Sequence, residues 1–149
     1  MTQNIQFEIA KLIDIAGVLA LQELYLVANL SEEEKTAGFV TTPFTIQQLT
    51  EVIQKEELFI AKDTNHIIAY IFAGSWDFFH QWPIFNHMIS LLPELIFLDS
   101  DFTTKNSFQY GPICIHQDYR GKRLITPFFE FMRINMKSKY PLSLTFINK

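Results

Sequence analysis

Cysteine is nearly missing from this 149-residue chain, with Cys114 the only one. A lone thiol excludes a disulfide framework within the chain and any zinc site built from paired cysteines. Glycine (5) and proline (6) are scarce too, which excludes collagen-like and low-complexity tracts. With 48% hydrophobic and 19% charged residues, general disorder is excluded as well. Long uncharged apolar runs are lacking. The segment from Leu12 to Leu30 is interrupted by Asp14, Gln22 and Glu23, short of the ~18 residues that suggest a membrane span. No basic residue precedes Lys11, so the start does not read as a secretory signal. The expectation is a reducing, cytoplasmic setting with no membrane partner.

What the chain does have is rings. Aromatics make up 15%, and 15 residues are Phe, so the core should be rich in large side chains. The length suits one domain over residues 1–149. Such a chain buries ~70% of its unfolded surface and needs no metal to hold together.

The net charge of −4 hides an asymmetry. Residues 1–119 hold 5 Lys and Arg against 15 Asp and Glu, a net of −10. Residues 120–149 hold 7 Lys and Arg against Glu130 alone, a net of +6. Two of the three arginines are Arg120 and Arg123. A basic cluster in an otherwise acidic chain suggests a local anion site rather than nucleic-acid affinity. A solvated basic face on the last helix would explain the same counts.

Periodicity places the elements. Ile5 to Ile9 alternates as a half-buried strand, and Lys11 to Ala28 has helical spacing. Ser31 before Glu32, Glu33 and Glu34 resembles a short helix start that Gly38 ends, and Thr45 caps a helix to Lys55. Leu58 to Lys62 and the apolar run Ile67 to Ser75 form a hairpin across Asp63-Thr64-Asn65. Trp76 to Leu98 reads as helical pieces broken at Pro83 and Pro93. His80 and His87 within it read as partly buried histidines rather than a metal pair. Asp99 to Asn106 is a polar loop, and Gln109 to Ile115 a strand. Thr126-Pro127 starts a helix to about Lys139, and Leu142 to Ile147 alternates as a last strand. The order predicts an α/β (α+β) domain with a mixed, mostly antiparallel sheet flanked by helices.

One stretch carries chemistry: a strand, then Arg120, Gly121, Lys122 and Arg123, then a helix. Backbone N–H groups in such a loop, with a helix N-terminus behind them, cradle a phosphate or pyrophosphate. Gly121 permits positive φ or close approach. Walker A, G-x-G-x-x-G, the nucleophile elbow and H-E-x-x-H are all missing. Cys114, between two isoleucines, reads as a buried small hydrophobe.

The run Tyr110-Gly-Pro-Ile-Cys-Ile-His-Gln-Asp-Tyr-Arg-Gly-Lys resembles the acetyl-CoA signature of the GCN5-related N-acetyltransferases (GNAT). The hairpin ending Ile-Ala-Tyr-Ile-Phe-Ala-Gly (68–74) and the final Ser143-Leu-Thr-Phe-Ile-Asn match that family's order of elements. The resemblance implies acetyl-CoA as co-substrate and no metal. It also implies a strand that splays at Ile113, Cys114 and Ile115 to pair with the pantetheine arm. The pyrophosphate would lie over the amides of Arg120, Gly121, Lys122, Arg123 and Leu124. Transfer would run directly to an amine of a small molecule or protein. A degenerate relative that binds CoA or a protein without turnover is the alternative. A nucleotide- or nucleic-acid-binding module using the basic tail is a third reading.

Two departures stand out. Arg123 and Ile125 occupy positions where the family has small residues. Against the family pattern the C-terminal part also reads as incomplete, as in a fragment or a fold completed by another chain, and a homodimer or swapped assembly is one expected outcome. Tyr110, His116, Asp77 and Glu94 are bases by type only. Trp76, Phe78, Phe79 and Trp82 suit an acceptor pocket or, more often at such density, core.

Overall fold

The computed structural model describes residues 4–35, 40 and 43–145. Four strands form the main sheet in the order β1, β2, β3, β7, each antiparallel to its neighbour. They are β1 (Ile5–Ile9), β2 (Leu58–Asp63), β3 (His66–Phe72) and β7 (Ile113–Ile115). β6 (Ser107–Gln109) and β8 (Leu142–Leu144) form a separate parallel pair, tied to the end of β3 by the Gln109 N–H bond to the Gly74 carbonyl.

The central strands are buried on both faces because the chain supplies two layers of helix. Leu58, Ile60, Tyr70 and Phe72 point into one core with α1 (Ile15–Tyr25), α3 (Ile46–Gln54), α4 (Trp76–Phe79) and α5 (Pro83–Leu91). Phe59, Ala61, Ala69 and Ile71 point into the other, against Phe128, Met132 and Met136 of α6 (Ile125–Met136). That alternation is the period of two a strand imposes.

Local chemistry explains most boundaries. Thr45 Oγ1 accepts from the Gln48 N–H at 3.2 Å, and Gln48 Oε1 accepts from the Thr45 N–H at 2.9 Å, a reciprocal cap on α3. Ser31 and Glu34 repeat the device on the single-turn α2 (Glu32–Lys35); Gly38 lies outside the described residues. The helix expected over 11–28 is shorter. A 3₁₀ turn covers Leu12–Asp14, and α1 stops at Tyr25. There the Tyr25 carbonyl accepts from the Val40 N–H at 2.7 Å instead of continuing the helix ladder. The carboxamide of Gln22, buried on α1, both donates to and accepts from the Phe44 backbone, at 3.2 and 2.9 Å.

Between β3 and β6, Pro83 begins α5, where its missing N–H costs nothing. Residues 96–101, partly assigned to a loop by the sequence, form a small hairpin of β4 (Ile96–Phe97) and β5 (Ser100–Asp101). Leu98 and Asp99 turn it with φ of 50° and 65°, the sign a tight hairpin turn demands. Residues 109–115 are likewise not one strand, since the Gly111–Pro112 junction separates β6 from β7. α6 starts at Ile125 rather than at a Thr126 cap and ends at Met136. Of the last expected strand, 142–144 is present, and residues 146–147 lie outside the described residues.

Candidate functional site

The site is made by a strand that loses one neighbour. Up to Tyr110 the backbone is held on both sides: the Gln109 N–H donates to the Gly74 carbonyl, and the Tyr110 N–H to the Leu144 carbonyl, each at 3.1 Å. Gly111 then adopts φ +108°, which only glycine enters readily. Beyond it, among the described residues, β7 pairs with β3 alone.

Register decides which groups β7 leaves open. Cys114 stands opposite Tyr70, and on either side the Phe72 N–H donates to the Pro112 carbonyl and the His116 N–H to the Ile68 carbonyl. In an antiparallel ladder this turns the backbone of 112, 114 and 116 toward β3 and that of Ile113 and Ile115 away from it. The expected pairing edge therefore narrows to Ile113 and Ile115; Cys114 belongs to the ladder. The Cys114 side chain is buried, and burial raises its thiol pKa to about 11, so it is no nucleophile. The Tyr70 hydroxyl beside it is also pushed well above its ordinary value, chiefly by burial and then by the neighbouring thiol.

Past β7, His116 Nδ1 accepts the Asp118 N–H at 3.1 Å and starts a 3₁₀ turn over Gln117–Tyr119. The loop that follows holds two left-handed residues, Gly121 at φ 72° and Arg123 at 59°. Arg123 thus keeps a glycine-like backbone while carrying a side chain. Among the described residues, the N–H groups of Arg123, Leu124, Ile125 and Thr126 make no backbone hydrogen bond. Pro127, third in the helix, has no N–H to add. Unpaired donors at a helix start are the arrangement that favours an anion, and this one is called the cradle.

The three cations of the loop divide. Arg120 turns back toward the sheet: its Nε donates to the Ile115 carbonyl at 2.8 Å, and its guanidinium sits 4.6 Å from the centre of the Tyr25 ring. Lys122 lies 5.7 Å from the Tyr119 ring, and the Arg123 backbone is part of the cradle. Further on, Arg133 is paired twice with Glu130 at 2.9 Å, and Lys139 donates to the Lys55 carbonyl at 2.7 Å. The basic tail is therefore not one free face.

A cleft runs from the cradle along β7. One part, about 610 Å³, is lined by Ile115, Tyr119, Gly121, Arg123 and Leu124. The adjoining part, about 330 Å³, is lined by Tyr110, Ile113, Phe129 and Glu130, and the two share Ile125 and Thr126. Of the bases nominated by type, Tyr110 lines this cleft and His116 lines a separate pocket of about 200 Å³ with Tyr25, Glu34 and Arg120. Asp77 and Glu94 are exposed elsewhere. Trp76, Phe78 and Phe79 are core, and Trp82 packs its ring on Phe44 and Phe78. His80 and His87 are exposed rather than partly buried. Among the described residues no group of three or more His, Cys, Asp or Glu could hold a metal ion, and no helix is long and apolar enough to cross a membrane. Sequence reading missed Gln109 and Thr145 at the apex of the splay; a polar Gln inside an apolar strand, just before Gly-Pro, was the available signal.

The sequence matches no protein-family description and no curated protein. Solved structures do share its fold. A GCN5-related N-acetyltransferase from Kribbella flavida aligns over 95% of this chain, with a TM-score of 0.59 and 9% identity. The loading GNATL domain of CurA from Lyngbya majuscula aligns over 95%, with a TM-score of 0.60 and 16% identity. The aminoglycoside N-acetyltransferase AAC(6')-Iy, solved with CoA, aligns over 99%, with a TM-score of 0.61 and 9% identity. The chain spans 29% and 63% of the first two proteins' lengths and 80% of the third's. The fold is that of the GCN5-related N-acetyltransferases, with a mostly antiparallel sheet flanked by helices.

Proposed function

We propose that the chain binds acetyl-CoA in the cleft beside β7 and transfers the acetyl group to an amine of a small molecule or protein. The observation that carries this reading is the run of unpaired N–H groups at 123–126, set at the end of a strand whose outer edge is open. A pyrophosphate would be held by those amides, with the helix start behind them. The pantetheine arm would add to β7 as an extra strand, using the N–H and C=O of Ile113 and the N–H of Ile115. The Ile115 carbonyl already accepts from Arg120, so that contact is kept or exchanged on binding. At the apex the amine nitrogen forms a bond to the thioester carbon, the C–S bond breaks, the amine gives up a proton, and the thiolate leaves as CoA.

Solved neighbours that carry CoA or acetyl-CoA support the co-substrate. The local use of Arg120, Arg133 and Lys139 counts against a nucleic-acid surface, which needs its cations free for phosphates.

Calorimetry with acetyl-CoA tests the reading, on the wild type and on Gly121→Trp. A Cβ at Gly121 meets no atom within 4 Å, so a large side chain there crowds the loop from open space rather than displacing packed atoms. Leaving φ at 72° with a side chain costs about 1 kcal/mol. Binding by the wild type and loss in the folded mutant is expected. Equal affinity in both would remove the cradle.

A further inference from the structure

Gln109 is fully buried, yet its Oε1 has no hydrogen-bond partner. Its Nε2 donates to the Tyr110 carbonyl at 2.8 Å, which fixes the amide's orientation, since a flip would set two oxygens against each other. The carboxamide stands at the apex where β7 leaves β8. Gly111 lies beside it: a Cβ there would be 3.5 Å from Gln109 Nε2 and 3.4 Å from Thr145 Oγ1. A bare Cα, the Thr145 hydroxyl and the amide end of Gln109 thus meet where β6 gives way to β7, and the same carboxamide carries the unsatisfied Oε1.

A buried acceptor without a donor is costly, and such groups concentrate where a ligand supplies the missing partner. The missing partner must be an N–H or O–H. A thioester carbonyl is itself an acceptor and cannot serve. An amine can, with a hydrogen to donate and a lone pair to direct elsewhere. We propose that Gln109 Oε1 receives an N–H of the amine acceptor at the apex of the splay and holds the nitrogen for attack. This rests on the acyl-transfer reading above and deepens it. A carboxamide cannot take the proton, so Gln109 is a binding and positioning residue, and deprotonation falls to another group.

The test uses short primary alkylamines, methylamine to butylamine, titrated into the CoA-saturated protein by calorimetry. Gln109→Met keeps the length and removes the acceptor, whereas Gln109→Glu, titrated at a pH low enough to keep its buried carboxyl neutral, keeps an acceptor and an O–H for the Tyr110 carbonyl. CoA affinity should stay within about threefold in both. Amine affinity should fall about tenfold or more in the Met variant and be retained in the Glu variant. Unchanged amine affinity in Gln109→Met, equal loss in both variants, or no amine binding to the CoA-loaded wild type would each overturn the inference. Failure of the wild type to bind CoA would instead overturn the function it rests on, and the inference with it. If the Met variant does not fold, the Glu variant decides alone: weakened amine binding with CoA binding intact overturns the inference, and retained binding supports it.

Discussion

Residues 107–109 and 113–115 sit in one nine-residue stretch, yet the sheet treats them differently. β6 has β8 on one edge, and its end is tied on the other by the Gln109-to-Gly74 bond. All three of its residues are buried. β7 is paired on one edge, and Ile113 is 36% exposed. Among the described residues the first, closed half is held on both edges, and the second, open half leaves the outward backbone groups of Ile113 unpaired. Gly111 is the hinge between these states, because its φ of +108° turns the chain away from β8 after the Leu144 contact. A binding edge needs no special side chain here; it needs a strand that stops pairing at the right residue.

The largest expected effect breaks the closed half. Phe108 is 4% exposed and packs with Tyr140 and the α6 side of the core. Phe108→Ala should cost about 3–5 kcal/mol in chemical denaturation. Ile113→Ala, in the open half, should cost under about 1.5 kcal/mol, because part of its side chain is already in water. Equal losses would mean the two halves are packed alike and the comparison is wrong.

Next comes the hinge. A Cβ at Gly111 finds ordinary contact distances, so the cost of Gly111→Ala is backbone strain. About 1–3 kcal/mol is expected, with weaker acetyl-CoA binding as β7 shifts. A mutant with wild-type stability and affinity would show that the positive φ is not needed for the splay.

Much of this architecture was readable in the sequence, and the reasons differ by element. β1, α3 and the β2–β3 hairpin follow from alternation, a Thr-x-x-Gln cap and a short polar turn, all local signals. The strand, loop and helix start around Arg-Gly-Lys-Arg follow from a local pattern as well. What failed was set by distant partners. α1 ends early because Val40 claims the Tyr25 carbonyl. The strand over 109–115 breaks because β8, some thirty residues on, pairs with only its first part. Where the Arg120 side chain goes was equally hidden, since its Nε bonds the Ile115 carbonyl and its guanidinium lies over the Tyr25 ring, partners set by the fold. Gln109 could be read as polar but not as unpartnered, since that depends on every neighbour at once.

A smaller effect lies at the base of the closed half, where Glu57 precedes β2. Its carboxylate is buried, 3.8 Å from Lys139 Nζ, and accepts from the Ser75 N–H at 3.4 Å. Burial raises its pKa above the ordinary 4.5, with Lys139, the Ser75 N–H and Lys55 opposing that rise. The folded state thus binds the proton more tightly than the unfolded state. Stability should fall as pH climbs from about 4.5 through the raised folded value, and stay lowered above it. Glu57→Gln should remove that slope and raise Tm at neutral pH, a smaller change than those above. A thermal melt series from pH 4 to 8 with the same slope in both proteins would place the titration elsewhere.

The smallest effect sharpens the open half at its phosphate end. Arg123 holds φ at 59°, a backbone that costs a side chain roughly 1–2 kcal/mol over glycine. Arg123→Gly relieves that strain but returns freedom to the unfolded chain, worth about 0.4–1 kcal/mol. The net gain expected in denaturation is about 0.5–1 kcal/mol. Binding separates the two parts of the residue. If the left-handed amide is what the cradle needs, Arg123→Gly keeps acetyl-CoA affinity within about threefold at 0.15 M salt, where exposed charges are screened beyond ~8 Å. If the guanidinium carries the anion, affinity drops about tenfold, and the wild type's own salt dependence steepens relative to the mutant's. The first outcome is expected, because the N–H groups of 123–126 are already unpaired and aligned at the helix start, whatever side chain stands beside them.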